Sequence, residues 1–381
     1  PGRLGAIRLE MAKGTLKAQD AARQMEGLKW RWRGDGIELA VVRSLGELYL
    51  SQGLYREALT ALKSAGPRVT SLPGGSKLHT DLDSAFRALF LEGAADGLQP
   101  IQALALFFDF RELTPVGADG DEMVRRLARR LIDVDLLEQA AELLKYQAEN
   151  RLDGVAKAQV SANLAAVYLM NRQAEPALQA LWSSRSSLLP QPIAAERRAL
   201  EARALMELGR YDHALEILGR DASVQARQVR AEILWKQENW AEAANLYEQN
   251  LGNRWQDTTP LNAVEESELI RAGVGYSLGS NNAALGRLSQ RYGRFAEGAR
   301  SPGAIRIALA GLDGAGAGSV SDFANLSAQA DTYAGWIAQT KADFRSRTAS
   351  AAPTARPAAA AGQQTGGDRA ATPARAQPVT A

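Results

Sequence analysis

Apolar residues recur at three- and four-residue spacing along almost the whole chain, which is the period of an amphipathic helix. Alternating runs of Val, Ile and Thr are few, so the pattern predicts an all-α protein. One stretch, VVRSLGELYLSQGLYREALTALKSAG, shows the unit. Leu45, Gly46 and Tyr49 share one predicted helix, Gly53 and Tyr55 mark a short turn, and Ala58, Leu62 and Ala65 share the next. The small Gly46 and Ala58 let two antiparallel helices approach closely, while Tyr49, Tyr55 and Leu62 fill the space around them.

With Ala58 as the ruler, the same arrangement recurs at Ala21, Ala103, Ala140, Ala177, Ala214, Ala243 and Ala284. Successive intervals along the eight alanines are 37, 45, 37, 37, 37, 29 and 41 residues, and four equal intervals mark a genuine repeat. The unit resembles the tetratricopeptide repeat, with its Trp-x2-Leu-Gly-x2-Tyr, Gly-x-Tyr and Ala-x3-Phe signature. Here Val42 stands in the tryptophan position and Leu62 in the phenylalanine position. The resemblance implies a right-handed α-α superhelix of about eight helical hairpins over residues 1–300. Two C-terminal helices, predicted near residues 302–312 and 320–345, are expected to close the array within residues 301–345. Phe323, Leu326, Tyr333, Ile337 and Phe344 form the apolar stripe of the second. From Ser346 to Ala381 the chain has no Leu, Ile or aromatic residue, so this Ala/Pro-rich tail is expected to be disordered.

Charge and composition narrow the function. With 45 Lys+Arg against 43 Asp+Glu, the net charge of +2 argues against a general nucleic-acid binder, whose affinity rests on neutralising many phosphates. The absence of cysteine excludes disulfides, thiol catalysis and Cys-type zinc sites. The two histidines, His79 and His213, lie far apart in sequence, so no metal or cofactor is predicted. No apolar run approaches the roughly 18 residues of a transmembrane helix. The chain begins with Pro1, which suggests a fragment or a processed product.

Tempting motifs lack their context. GYSLG matches the nucleophile elbow at Ser277, but that serine needs a preceding strand and a following histidine. GAGAGS and PGGSK read as linkers rather than phosphate loops. Glu265 and Glu266 are adjacent and diverge on a helix. Asp119 or Asp121 is expected to cap a helix starting near Glu122, and no catalytic residue is nominated. In KWRWRGDG, residues 29–36, the cations and tryptophans suggest a single-stranded nucleic-acid platform. The periodicity Ala21, Met25, Leu28, Trp32 instead assigns Trp32 to the core, with Gly34 and Asp35 ending one helix and capping the next. Trp30 faces the opposite side of that helix.

In tetratricopeptide arrays the first helix of each hairpin lines a concave groove that receives a peptide. Carried through the marker alanines, that resemblance places Arg125 and Arg129 in the groove, followed by Asn163, Arg203 and Trp235 in successive repeats. Cations and an amide along a groove suit carboxylates or backbone carbonyls of an extended segment. The run of arginines at 125, 126, 129 and 130 has a plainer reading as a solvated helix face pairing with nearby acids. The expected function is a non-enzymatic scaffold binding a protein or peptide partner, without nucleic acid. The alternatives are a helical accessory region of a larger envelope enzyme, such as a lytic transglycosylase, and a nucleic-acid-binding solenoid. The Ala/Arg-rich composition resembles helical-repeat proteins of alphaproteobacteria, which implies a cell-envelope or periplasmic setting, with the cytoplasm as the alternative.

Overall fold

A computed structural model of the chain describes residues 2–31, 36–65, 71–186, 188–314 and 332–349. These residues form α-helices and short 3-10 turns, with no β-strand among them. The helices are α1 (Gly2–Ala12), α2 (Ala18–Arg31), α3 (Gly36–Ser51), α4 (Tyr55–Lys63), α5 (Gly75–Phe90) and α6 (Pro100–Asp109). Next come α7 (Ala118–Asp133), α8 (Leu137–Asn150), α9 (Gly154–Met170), α10 (Ala174–Trp182), α11 (Gln191–Glu207) and α12 (Tyr211–Leu218). The last six are α13 (Val224–Lys236), α14 (Trp240–Leu251), α15 (Ala263–Leu278), α16 (Asn282–Tyr292), α17 (Pro302–Gly314) and α18 (Thr332–Ala349).

The marker alanines fall in α2, α4 and each following even-numbered helix to α16. All eight are at most 2% exposed. Seven are the fourth residue of their helix, where a larger side chain would meet the preceding helix. Gly46 shows the same demand from the other side, because a Cβ there would sit 2.6 Å from Leu62 Cδ2.

Six of the turns that lead into these helices contain three residues each, and the middle one takes a left-handed conformation. It is Gly53, Asp135, Arg172, Gly209, Glu238 or Ser280, with φ between 53° and 73°. So short a link returns the second helix antiparallel to the first. The other connections absorb the variation in the repeat. After the 14-residue α8 only three residues precede α9, whereas the 9-residue α10 is followed by eight, which preserves the 37-residue interval.

Arginines fasten these longer connections. Arg197 donates to the carbonyls of Ala158 (2.5 Å) and Leu181 (2.6 Å), Arg130 to that of Leu98 (2.6 Å), and Arg294 to those of Trp255 (2.6 Å) and Asp257 (2.5 Å). The Leu181 carbonyl, in the last turn of α10, is thereby satisfied by a side chain. Burial lowers the Arg197 pKa from its ordinary value.

The core is a chain of overlapping clusters rather than one centre. They run from Leu4 to Ala61, from Leu39 to Met170, from Ala162 to Ile233 and from Ala231 to Leu309. This is the organisation of a solenoid, in which each layer packs on its neighbours.

Several local expectations change. Asp119 and Asp121 cap nothing; α7 starts at Ala118 and carries both acids in its first turn, where they favour the helix dipole. Ser277 lies in the last turn of α15, so GYSLG is not a strand-to-helix elbow. His79 and His213 are exposed on α5 and α12. The tail predicted from Ser346 begins as helix, since α18 runs to Ala349, and residues 350–381 lie outside the described residues. Ala21, Met25 and Leu28 are buried as the periodicity requires, while Trp32, Gly34, Asp35 and the Trp30 side chain lie outside them too. No helix among the described residues is long and apolar enough to cross a membrane.

Candidate functional site

Two C-terminal helices behave differently. The first, α17, packs on α15 and α16 and covers the last turn of the array. Its approach is close enough that a Cβ on Gly273 would lie 2.7 Å from the Ala308 carbonyl oxygen. The second, α18, touches both α7 and α15. Between those helices lie α9, α11 and α13, so the array curves round α18 and presents its odd-numbered helices to it.

Trp336, Ile337 and Phe344 of α18 pack on the cluster that spans α3 to α9, and Trp336 and Phe344 also on the next. The Arg203 guanidinium from α11 lies 4.5 Å from the centroid of the Trp336 ring, within the range of a cation–π contact. Arg203 is itself buried and forked onto Glu232 of α13, with Nη2 to Oε1 at 2.8 Å and Nη1 to Oε2 at 3.2 Å. At the other end, Lys341 Nζ is 2.6 Å from Asp135 Oδ1 and Arg345 Nε is 2.9 Å from Asp133 Oδ1.

Three cavities remain along this interface. One of about 290 Å³ lies beside Phe344 and is lined by Arg125, Val160, Asn163 and Ile193, among others. One of about 80 Å³ runs between Trp336 and Phe344 over Asn163, Leu200 and Val229. A third of about 30 Å³ separates Gly335 and Trp336 from Ser267 and Glu268 of α15. The Ser267 hydroxyl is buried there with no hydrogen-bond partner. Burial raises the Glu268 carboxyl to about 7, although the Gln228 and Asn250 amides donate to it at 3.3 and 3.1 Å.

The residues nominated from sequence are thus partly brought together. Arg125, Asn163 and Arg203 all line cavities beneath α18. Arg129 is half-buried on α7, the same helix as Arg125. Trp235 stands apart: its ring packs against Trp240 at 5.0 Å and under Arg271 at 4.9 Å, inside the array. The arginine run on α7 pairs in part with a nearby acid and in part reaches across to the connection between α5 and α6. Arg125 and Arg126 pair with Glu122, Arg126 also bonds the Leu91 carbonyl, and Arg130 holds residues 95–98.

Two of the expected groove cations, Arg125 and Arg203, therefore spend their charge on carboxylates of the array itself. Asp133 and Asp135, not anticipated from the sequence, receive the incoming cations of α18. Trp336 is not singled out by the sequence pattern either, although it precedes Ile337 and lies eight residues before Phe344 on a helix with an apolar stripe. What this arrangement can do chemically is hold a helix by its aromatic side chains.

No family model matches the chain, and comparison with curated proteins finds no match.

Proposed function

We propose that the chain is a non-enzymatic scaffold that holds a protein or peptide partner along the concave side of its helical array. In this reading the array is a tetratricopeptide-like, right-handed superhelix of about eight helical hairpins. The observation that carries it is α18, a helix seated across α7 to α15 with Trp336, Ile337 and Phe344 packed on the array. A trough that accommodates one such helix has the shape and apolar lining for helix-in-groove recognition. The all-helical architecture and the buried marker alanines support the repeat part of the reading.

The test is crosslinking and pull-down with the full chain, comparing wild type with Ile193→Asp, which places a charge in the 290 Å³ cavity. Loss of the captured partner with an unchanged helical circular-dichroism spectrum is the expected outcome. Equal capture by both proteins would overturn the groove as the binding surface.

A further inference from the structure

We propose that the partner is itself a basic helix with two aromatic anchors eight residues apart, and that α18 is the internal copy it displaces. This rests on the groove being the binding surface.

The anchors define the register. Trp336 sits against Arg203 and faces Leu200 and Val229, while Phe344 faces Val160, Asn163 and Ile193. Positions i and i+8 fall on the same side of a helix, about 12 Å apart along it, and here Gln339, Thr340 and Asp343 lie between the two rings. The charges fix the polarity: cations five and nine residues after the first anchor meet Asp135 and Asp133. A helix with acids at those positions would meet like charge instead.

The same contacts show why α18 is replaceable. Asp135 is 73% exposed and Arg345 58%, so each of these pairs contributes little in water. The cavity of about 290 Å³ beside Phe344 means that this ring underfills its end of the groove. At the other end, Gly335 has no side chain to offer the buried Ser267 hydroxyl across the small cavity. A partner with a larger aromatic in place of Phe344, and a short polar side chain in place of Gly335, meets both deficits. Held in the same chain, α18 competes at an effective concentration of order mM. The groove is therefore occupied until a better helix arrives.

Fluorescence anisotropy with a labelled synthetic peptide of residues 332–349 tests this on the full chain. Wild type is expected to bind it weakly, and a Trp336→Ala/Phe344→Ala chain at least about tenfold more tightly, because the internal competitor is lost. Against that double variant, a Phe344→Trp peptide is expected to bind more tightly than the native peptide. A Lys341→Glu/Arg345→Glu peptide is expected to bind more weakly, with the difference shrinking as salt is added. Equal binding by wild type and double variant, or indifference to charge reversal, overturns the proposal. Peptide-sensitive dimers of wild type seen by light scattering also overturn it, in favour of exchange of α18 between copies. These failures leave the groove reading standing as long as Ile193→Asp still abolishes partner capture.

Discussion

Arg203 and Trp336, 133 residues apart in sequence, meet with the guanidinium 4.5 Å from the ring centroid, while the same guanidinium forks onto Glu232. One buried cation therefore joins α11, α13 and α18. Its planar geometry permits this, because the face stacks on the ring while the edge donates in-plane hydrogen bonds.

Removing the ring tests the docking of α18. Trp336→Ala should cost the helix roughly 2–3 kcal/mol of cation–π contact and apolar burial. Hydrogen exchange of the amides in residues 332–349 should accelerate by about 30- to 150-fold, while the array melts near its usual temperature. Unchanged exchange in that segment would mean that the ring does not hold the helix.

Removing the cation tests the pair beneath. Arg203→Met strands a buried Glu232 carboxylate, and such breakage costs about 3–5 kcal/mol. A double Arg203→Met/Glu232→Leu chain should recover most of the loss in urea denaturation, since it strands no charge. If the double variant is as unstable as the single one, the stranded charge is not the cause.

The contrast between these two residues and the marker alanines shows what the sequence reveals. Ala140, Ala177 and Ala214 are legible because a close helix–helix contact at a fixed place in each layer demands a small residue, and the demand repeats every 37 residues. Nothing repeats around Trp336, and its partner lies in another layer system. The ruler puts Arg125 and Arg203 on the inner side, and both line cavities beneath α18. The pairing of Arg125 is legible, because Glu122 is a local helix neighbour, whereas that of Arg203 is not, because Glu232 comes from another helix. Trp235 follows the same ruler yet turns inward, where Trp240 and Arg271 enclose it.

Glu268 predicts a pH dependence. Burial lifts its carboxyl from the ordinary 4.5 to about 7, so the folded chain holds this proton more tightly than the unfolded chain. Its favourable contribution is complete below pH 4.5 and is lost as pH rises through about 7. The loss amounts to roughly 3 kcal/mol across that window. Glu268→Gln keeps the shape and removes the titration. The difference between wild type and variant in urea melts at pH 5 and pH 8 isolates this group, and parallel curves at both pH values would refute the assignment.

Packing of the closing helix has its own probe. A Cβ at Gly273 would meet backbone of Ala308, so Gly273→Ala should push α17 away and cost about 1–3 kcal/mol. At Gly286, in α16, a Cβ would find open space, with nothing within 4 Å. Gly286→Ala should instead add about 0.5–1 kcal/mol through helix propensity. Thermal melts that shift in the same direction for both variants would contradict this description of the α15–α17 contact.

The three-residue turns have a consequence for how such a chain tolerates change. Since the odd-numbered helices run alongside one another, these six turns gather on one edge of the array, which also carries the longer α1–α2 and α5–α6 links, and the even-to-odd connections gather on the opposite edge. From α7 to α16 the first edge behaves as a template: each turn is fixed in length by a left-handed residue at its centre, even where that residue is Arg172 or Glu238. The second edge carries connections of three residues after α8, five after α12 and eleven after α14. Added sequence, an epitope tag or a new chain terminus is accommodated there without moving a neighbouring layer. One rim of the molecule is in effect a ruled margin, and the other is where new text can be written.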